Sequence, residues 1–172
     1  MTKSPMRLAL TLLLAMTTIL GVTQVASGSE NGRYEKRVTV THGPTTADNS
    51  QVTDLGTPGH SVGDMVTVFI PFTGKHAGHL VGSLTTVAVD RPAVGQDVRM
   101  SNLSFVFGSD ANQIVVGGQA VYEISQPTLG IGVVTIRPII GGSGKYAGAR
   151  GYVETTHLED NSWKHVFHLT TK

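Results

Sequence analysis

The stretch "IIGGSGKYAGARGYVETT", residues 139–156, decides how this chain is read. It holds five glycines and a Gly-Lys pair. Two readings compete, a phosphate cradle and a connection between strands. A P-loop wraps phosphate with backbone N–H groups and holds Mg²⁺ with the hydroxyl that follows its lysine. Here Gly144-Lys145 is followed by Tyr146, and the glycine that should open such a loop falls at Ile139. The dinucleotide fingerprint fails as well. After Gly142 and Gly144 the third glycine is due at Ala147 and arrives one place late, at Gly148. No amphipathic helix follows. The stretch therefore reads as a structural turn between two strands.

Working outward, the same texture covers the chain. Aromatic residues make up 6% and charged residues 15%, glycine is abundant at 21, and no long helical periodicity occurs. This combination favours an all-β domain with many turns. The formal net charge of +1 gives no field suited to nucleic acid, so no nucleic-acid partner is expected. The chain has no cysteine, which excludes disulfides and a lipoprotein anchor. The N-terminus carries Lys3 and Arg7, then "LALTLLLAMTTILGVTQVAS", with small residues at Ala26, Ser27 and Gly28. That is a secretory signal pattern over residues 1–28, with an uncleaved anchor as the alternative. It predicts a secreted or extracytoplasmic protein with one domain over 29–172 and no other membrane contact.

Eight segments carry strand patterns. They are "RYEKRVTVTHG", "MVTVFIPFTG", "HLVGSLTTVAVDRP", "VRMSNLSFVFGSD", "QIVVGGQAVYEIS", "GVVTIRPII", "RGYVETTHLE" and "SWKHVFHLTT". The polar run "PTTADNSQVTDLGTPGHSVGD" reads as a loop, and Ser109 to Asn112 as a hairpin turn. Eight short, mostly antiparallel strands predict a closed eight-stranded barrel, with a two-sheet sandwich left open as the alternative. His76 and His79 have metal-like spacing, but they flank a glycine-containing turn with no third ligand nearby, so no metal site is expected.

The order of motifs carries a resemblance. Gly63-Asp64 and "PFTGK" (71–75) come first, then "VGS" (81–83), "FVFG" (105–108), "VVGG" (115–118) and "IIGGSGKYAGARGYV" (139–153). Together they resemble the allene oxide cyclase and dirigent protein superfamily over roughly residues 60–170. The resemblance implies an antiparallel barrel of calycin type, dimeric or trimeric, working without a cofactor on a small hydrophobic molecule in its lumen. It implies a cyclase or isomerase that folds a polyketide- or lipid-like substrate and controls ring formation. Two alternatives stand beside it, a secreted carrier of a hydrophobic ligand and a dirigent-like auxiliary that steers radical coupling. The acid/base glutamate of allene oxide cyclases would fall near Glu35, and their cysteine near Ala88.

Strand parity carried over from the resemblance gives a lumen set. Its substrate-binding members are Val66, Val68, Ile70, Phe72, Thr86, Leu103, Phe105, Phe107, Val116 and Ala120. Tyr122, Arg99 and Asp90 are its polar candidates for catalysis, with Arg99 and Asp90 able instead to pair across the barrel mouth. Glu35, Glu154 and His165 complete the candidate list, unplaced by parity. Phe69, Val115 and Val121 fall on the opposite face, which predicts a homo-oligomer.

Overall fold

The computed structural model of the protein describes residues 35–126 and 128–170. The expected signal segment and the side chain of Glu35 lie outside the described residues. Nine strands follow one another: β1 (Glu35–His42), β2 (Ser50–Thr53), β3 (Met65–Phe72), β4 (Gly78–Val89), β5 (Gln96–Phe107), β6 (Ser109–Glu123), β7 (Val134–Gly142), β8 (Arg150–His157) and β9 (Trp163–Thr170). The one helical piece among the described residues is a 3₁₀ turn at Gly144–Tyr146.

From β3 to β9 each strand pairs antiparallel with the next, as short connections dictate. β1 closes the ring: it pairs with β9 along its whole length and with β3 at His42↔Phe72. The result is a closed, eight-stranded antiparallel barrel of β1 and β3–β9. Closure removes the sheet edges that an open meander would leave.

Three details differ from the sequence reading. Ser50–Thr53 was expected to be loop, yet it forms β2 and pairs with Met65–Val68 of β3. β1 and β2 thus share one edge of β3, β2 taking over where β1 leaves. Ser109–Asn112 was expected to be a turn, but these residues belong to β6. The chain reverses instead at Gly108, whose φ of 73° suits glycine, and the ladder shifts register between Val106 and Phe107. Finally, β5 begins at Gln96 and so takes in Asp97, which lies opposite Tyr122.

One end of the barrel is plugged. Phe72, Phe105, Phe107, Ile114, Val116, Ile139, Val153, Phe167 and Leu169 pack into one buried cluster. The phenylalanine rings meet at tilted and edge-to-face angles, Phe105 and Phe167 with centroids 4.8 Å apart. The glycine-rich stretch supplies the cap. Its 3₁₀ turn lays Tyr146 against Phe107, 4.8 Å between centroids. The Ser143 hydroxyl donates to the Ala111 carbonyl at 2.8 Å, and the Lys145 N–H donates to Asn112 Oδ1 at 3.0 Å. The polar groups of this stretch are thus used to pin it to β6, which settles the opening question for a turn.

Candidate functional site

The other end of the lumen is not filled by side chains. A cavity of ≈ 90 Å³ sits there, several times the ~10–15 Å³ that admits one water. One wall is apolar: Val66, Val68 and Ile70 from β3, Leu80 and Leu84 from β4, and Leu103 from β5. The other wall is polar: Arg99, Tyr122, Arg137, Thr155, His165 and His42. Trp163, Leu129, Thr128 and Thr45 complete the lining. Alternation along each strand turns these side chains into the lumen. Odd positions of β5 and even positions of β6 point inward, which carries Asp97, Arg99 and Ser101 to the same side as Tyr122.

Arg137, Tyr122, Arg99 and Asp97 form one connected network in the polar wall. Arg137, 3% exposed, donates from Nη2 to the Tyr122 hydroxyl at 2.7 Å, from Nε to Ser101 Oγ at 3.0 Å and from Nη1 to Thr135 Oγ1 at 2.8 Å. Arg99 lies over the Tyr122 ring, its guanidinium carbon 4.4 Å from the centroid. Its Nη2 donates to Asp97 Oδ2 at 2.9 Å and its Nε to the same oxygen at 3.2 Å. Asp97 is fully buried, and its Oδ1 has no hydrogen-bond partner among the described residues. His60, from the β2–β3 connection, brings Nδ1 to 3.6 Å of Asp97 Oδ2.

Burial pushes the Tyr122 phenol above its ordinary pKa, with Arg137 and Arg99 pulling it back down. The phenol is therefore a neutral donor at pH 7. Its oxygen accepts from Arg137, which leaves its own proton available. His165 shares a 3.0 Å hydrogen bond between Nδ1 and Thr155 Oγ1, and its buried Nε2 has no partner among the described residues. Burial holds its pKa well below the usual histidine value, with His42 and Arg137 adding to the effect. His42 stacks on it at 5.1 Å and is also pushed down by burial. Both rings are neutral at pH 7.

The structure sorts the expected residues. Val66, Val68, Ile70, Leu103, Arg99, Tyr122 and His165 line the cavity. Phe72, Phe105, Phe107 and Val116 point into the barrel but fill the plug, while Thr86 and Ala120 are buried outside the cavity lining. Asp90 is not in the lumen. The ladder shifts between Thr86 and Ala88, and Asp90 then leaves the strand with φ 54°, exposed, accepting the Gly95 N–H at 2.9 Å. The Arg99 partner is Asp97, two residues away, rather than Asp90. Glu154 faces outward between Val153 and Thr155, which are buried, and approaches His168 at 3.4 Å on the barrel exterior. Glu35 pairs with Thr170 through its backbone.

Sequence reasoning missed Asp97, Arg137, His42 and Thr155. Asp97 lay one residue before the expected start of its strand. Arg137 sits on a strand of inverted pattern: Val134, Ile136 and Ile140 are exposed, and Thr135, Arg137 and Ile139 point inward.

No protein-family model and no curated protein matches the chain. Solved structures do. A pyocyanin demethylase aligns with a TM-score of 0.58 at 18% identity, covering 77% of this chain and 99% of its own. A pterocarpan synthase dirigent protein aligns at 0.55 and 16% identity, covering 94% and 97%. A Diels-Alderase from Streptomyces koyangensis aligns at 0.56 and 15% identity, covering 85% and 72%. At such identities the likeness concerns the fold alone: the chain shares the antiparallel barrel of these solved structures.

Proposed function

We propose that the protein is a cofactor-independent cyclase that folds a hydrophobic chain in its lumen and controls how a ring closes. The observation that carries this reading is the two-sided cavity: six aliphatic side chains face a wall of hydrogen-bond donors. The aliphatic wall holds the substrate in a compact shape and keeps water out, so a reaction the substrate can undergo by itself starts near its attack geometry. The donor wall polarises one oxygen of the substrate. Tyr122 donates its proton to that oxygen, and the hydrogen bond from Arg137 to the Tyr122 oxygen makes it a stronger donor. Donors fixed by the barrel need no reorganisation as charge develops. Solved structures named as Diels-Alderases share the fold, which makes cycloaddition the first ring closure to test.

The test is turnover by purified protein, with no added cofactor or oxidase, of linear substrates carrying a conjugated diene and an activated alkene. Cyclic product above the uncatalysed rate, with an altered stereoisomer ratio, supports the reading. Tight binding without turnover makes the protein a carrier, and a requirement for a separate oxidase makes it a radical-steering auxiliary.

A further inference from the structure

The charges buried around the cavity do not balance. Arg99 and Arg137 are both buried guanidiniums, and Asp97 is the one carboxylate buried among the described residues. Asp97 is committed to Arg99 through two hydrogen bonds to Oδ2. Among the described residues Arg137 hydrogen-bonds only to neutral hydroxyls, those of Ser101, Thr135 and Tyr122. Three N–H groups are used in this way, so one on Nη1 and one on Nη2 have no acceptor among the described residues. A buried cation is normally paired, because removal from water disfavours it strongly. None of the other described groups around it supplies the missing charge. Tyr122 stays protonated because burial raises its pKa, and His42 and His165 are neutral. Glu154 faces outward toward His168, and Asp90 is held in an exposed turn.

We propose that the cavity takes a hydrophobic substrate with one ionised oxygen, a carboxylate or a phenolate-type oxyanion, and that this oxygen lies against the Arg137 guanidinium. The inference rests on the cavity being the substrate site. It adds the chemical class of the substrate and its orientation, anionic end toward β7 and apolar body along β3, β4 and β5. Arg137 supplies the charge, and the Tyr122 proton supplies a second donor to the same oxygen. The planar guanidinium fork suits a carboxylate in particular.

The experiment uses 4-nitrophenol, a small aromatic probe that ionises near neutrality and whose phenolate is coloured. Its pKa is read by absorbance with the full-length protein in excess, in chloride-free buffer. An apolar cavity alone raises the pKa of a bound phenol, whereas a cationic site lowers it. The expected result is a bound pKa lower by about one unit, which is about a tenfold preference for the phenolate. Arg137→Lys should keep most of that shift. Arg137→Gln, which retains N–H donors, should lose it, with folding checked by circular dichroism. A raised pKa in the wild-type protein overturns the anionic substrate while leaving the cavity as a site for neutral ligands. An equal depression in a folded Arg137→Gln variant also overturns it. Failure of both forms to bind overturns the cavity as a ligand site, and this proposal with it.

Discussion

Asp97 and Arg99 stand two residues apart on β5, and both side chains turn into the lumen. Together they form a buried ion pair, and removing the carboxylate takes away the negative charge that faces the buried Arg99 guanidinium. Asp97→Asn is predicted to destabilise the barrel by about 3–5 kcal/mol, measured by urea unfolding. The same environment sets a pH response. Burial holds His165 and His42 below the ordinary histidine pKa. The unfolded chain takes up these protons near pH ~6.5, whereas the folded barrel does so only at lower pH. Their stabilising contribution is therefore fully present above about pH 6.5 and is lost as pH falls below it. Each histidine contributes at most about 1.4 kcal/mol per pH unit in that window. Urea melts at about pH 7.5 and about pH 5.5 should show the loss, and His165→Asn should flatten it. An unchanged slope in His165→Asn would place the proton uptake elsewhere.

At the scale of elements, the glycine-rich stretch acts through its backbone. Gly151 has φ 124°, and a Cβ there would run into the His168 carbonyl of β9. Gly144 has φ 55°, and a Cβ would collide with the Ala111 carbonyl. Gly151→Ala is predicted to destabilise by more than ~1 kcal/mol, seen as a lower urea midpoint with unchanged slope. The plug is more sensitive still. Phe105 is 1% exposed, and Phe105→Ala should remove about 3–5 kcal/mol by leaving a void among Phe72, Phe167 and His165. Strand order and the inward faces of β3, β5 and β6 were legible in the sequence because alternation there follows the ordinary rule. Three things were not. β2 is four residues long with an exposed Val52, so nothing in its pattern separates it from loop. The β4 irregularity between Thr86 and Ala88 swung Asp90 out of the lumen, and alternation cannot register a bulge. On β7 the aliphatic residues face outward and Arg137 inward, the reverse of what hydrophobicity suggests. Arg137, which donates to Ser101, Thr135 and Tyr122, was hidden for that reason.

At the scale of the whole molecule, that inversion leaves Val134, Ile136 and Ile140 of β7 exposed, with Tyr152 of β8 and Val121 of β6 on neighbouring strands. Such a face calls for cover. We propose that a second copy of the chain supplies it in a dimer or trimer. Light scattering at micromolar concentration should give the oligomer mass, and Ile136→Lys should shift it toward monomer. A strict monomer in the wild-type protein would contradict this. The central claim is that ring closure takes place in the cavity between the aliphatic wall and the Tyr122–Arg137 pair. Leu84→Trp tests it most directly, because it fills the cavity from the aliphatic side and leaves every polar group in place. The decisive measurement is the rate and stereoisomer ratio of cyclic product from a substrate that the wild-type protein converts. The account predicts that a folded Leu84→Trp variant falls to the uncatalysed rate and ratio. Wild-type rate and ratio in that variant would contradict it.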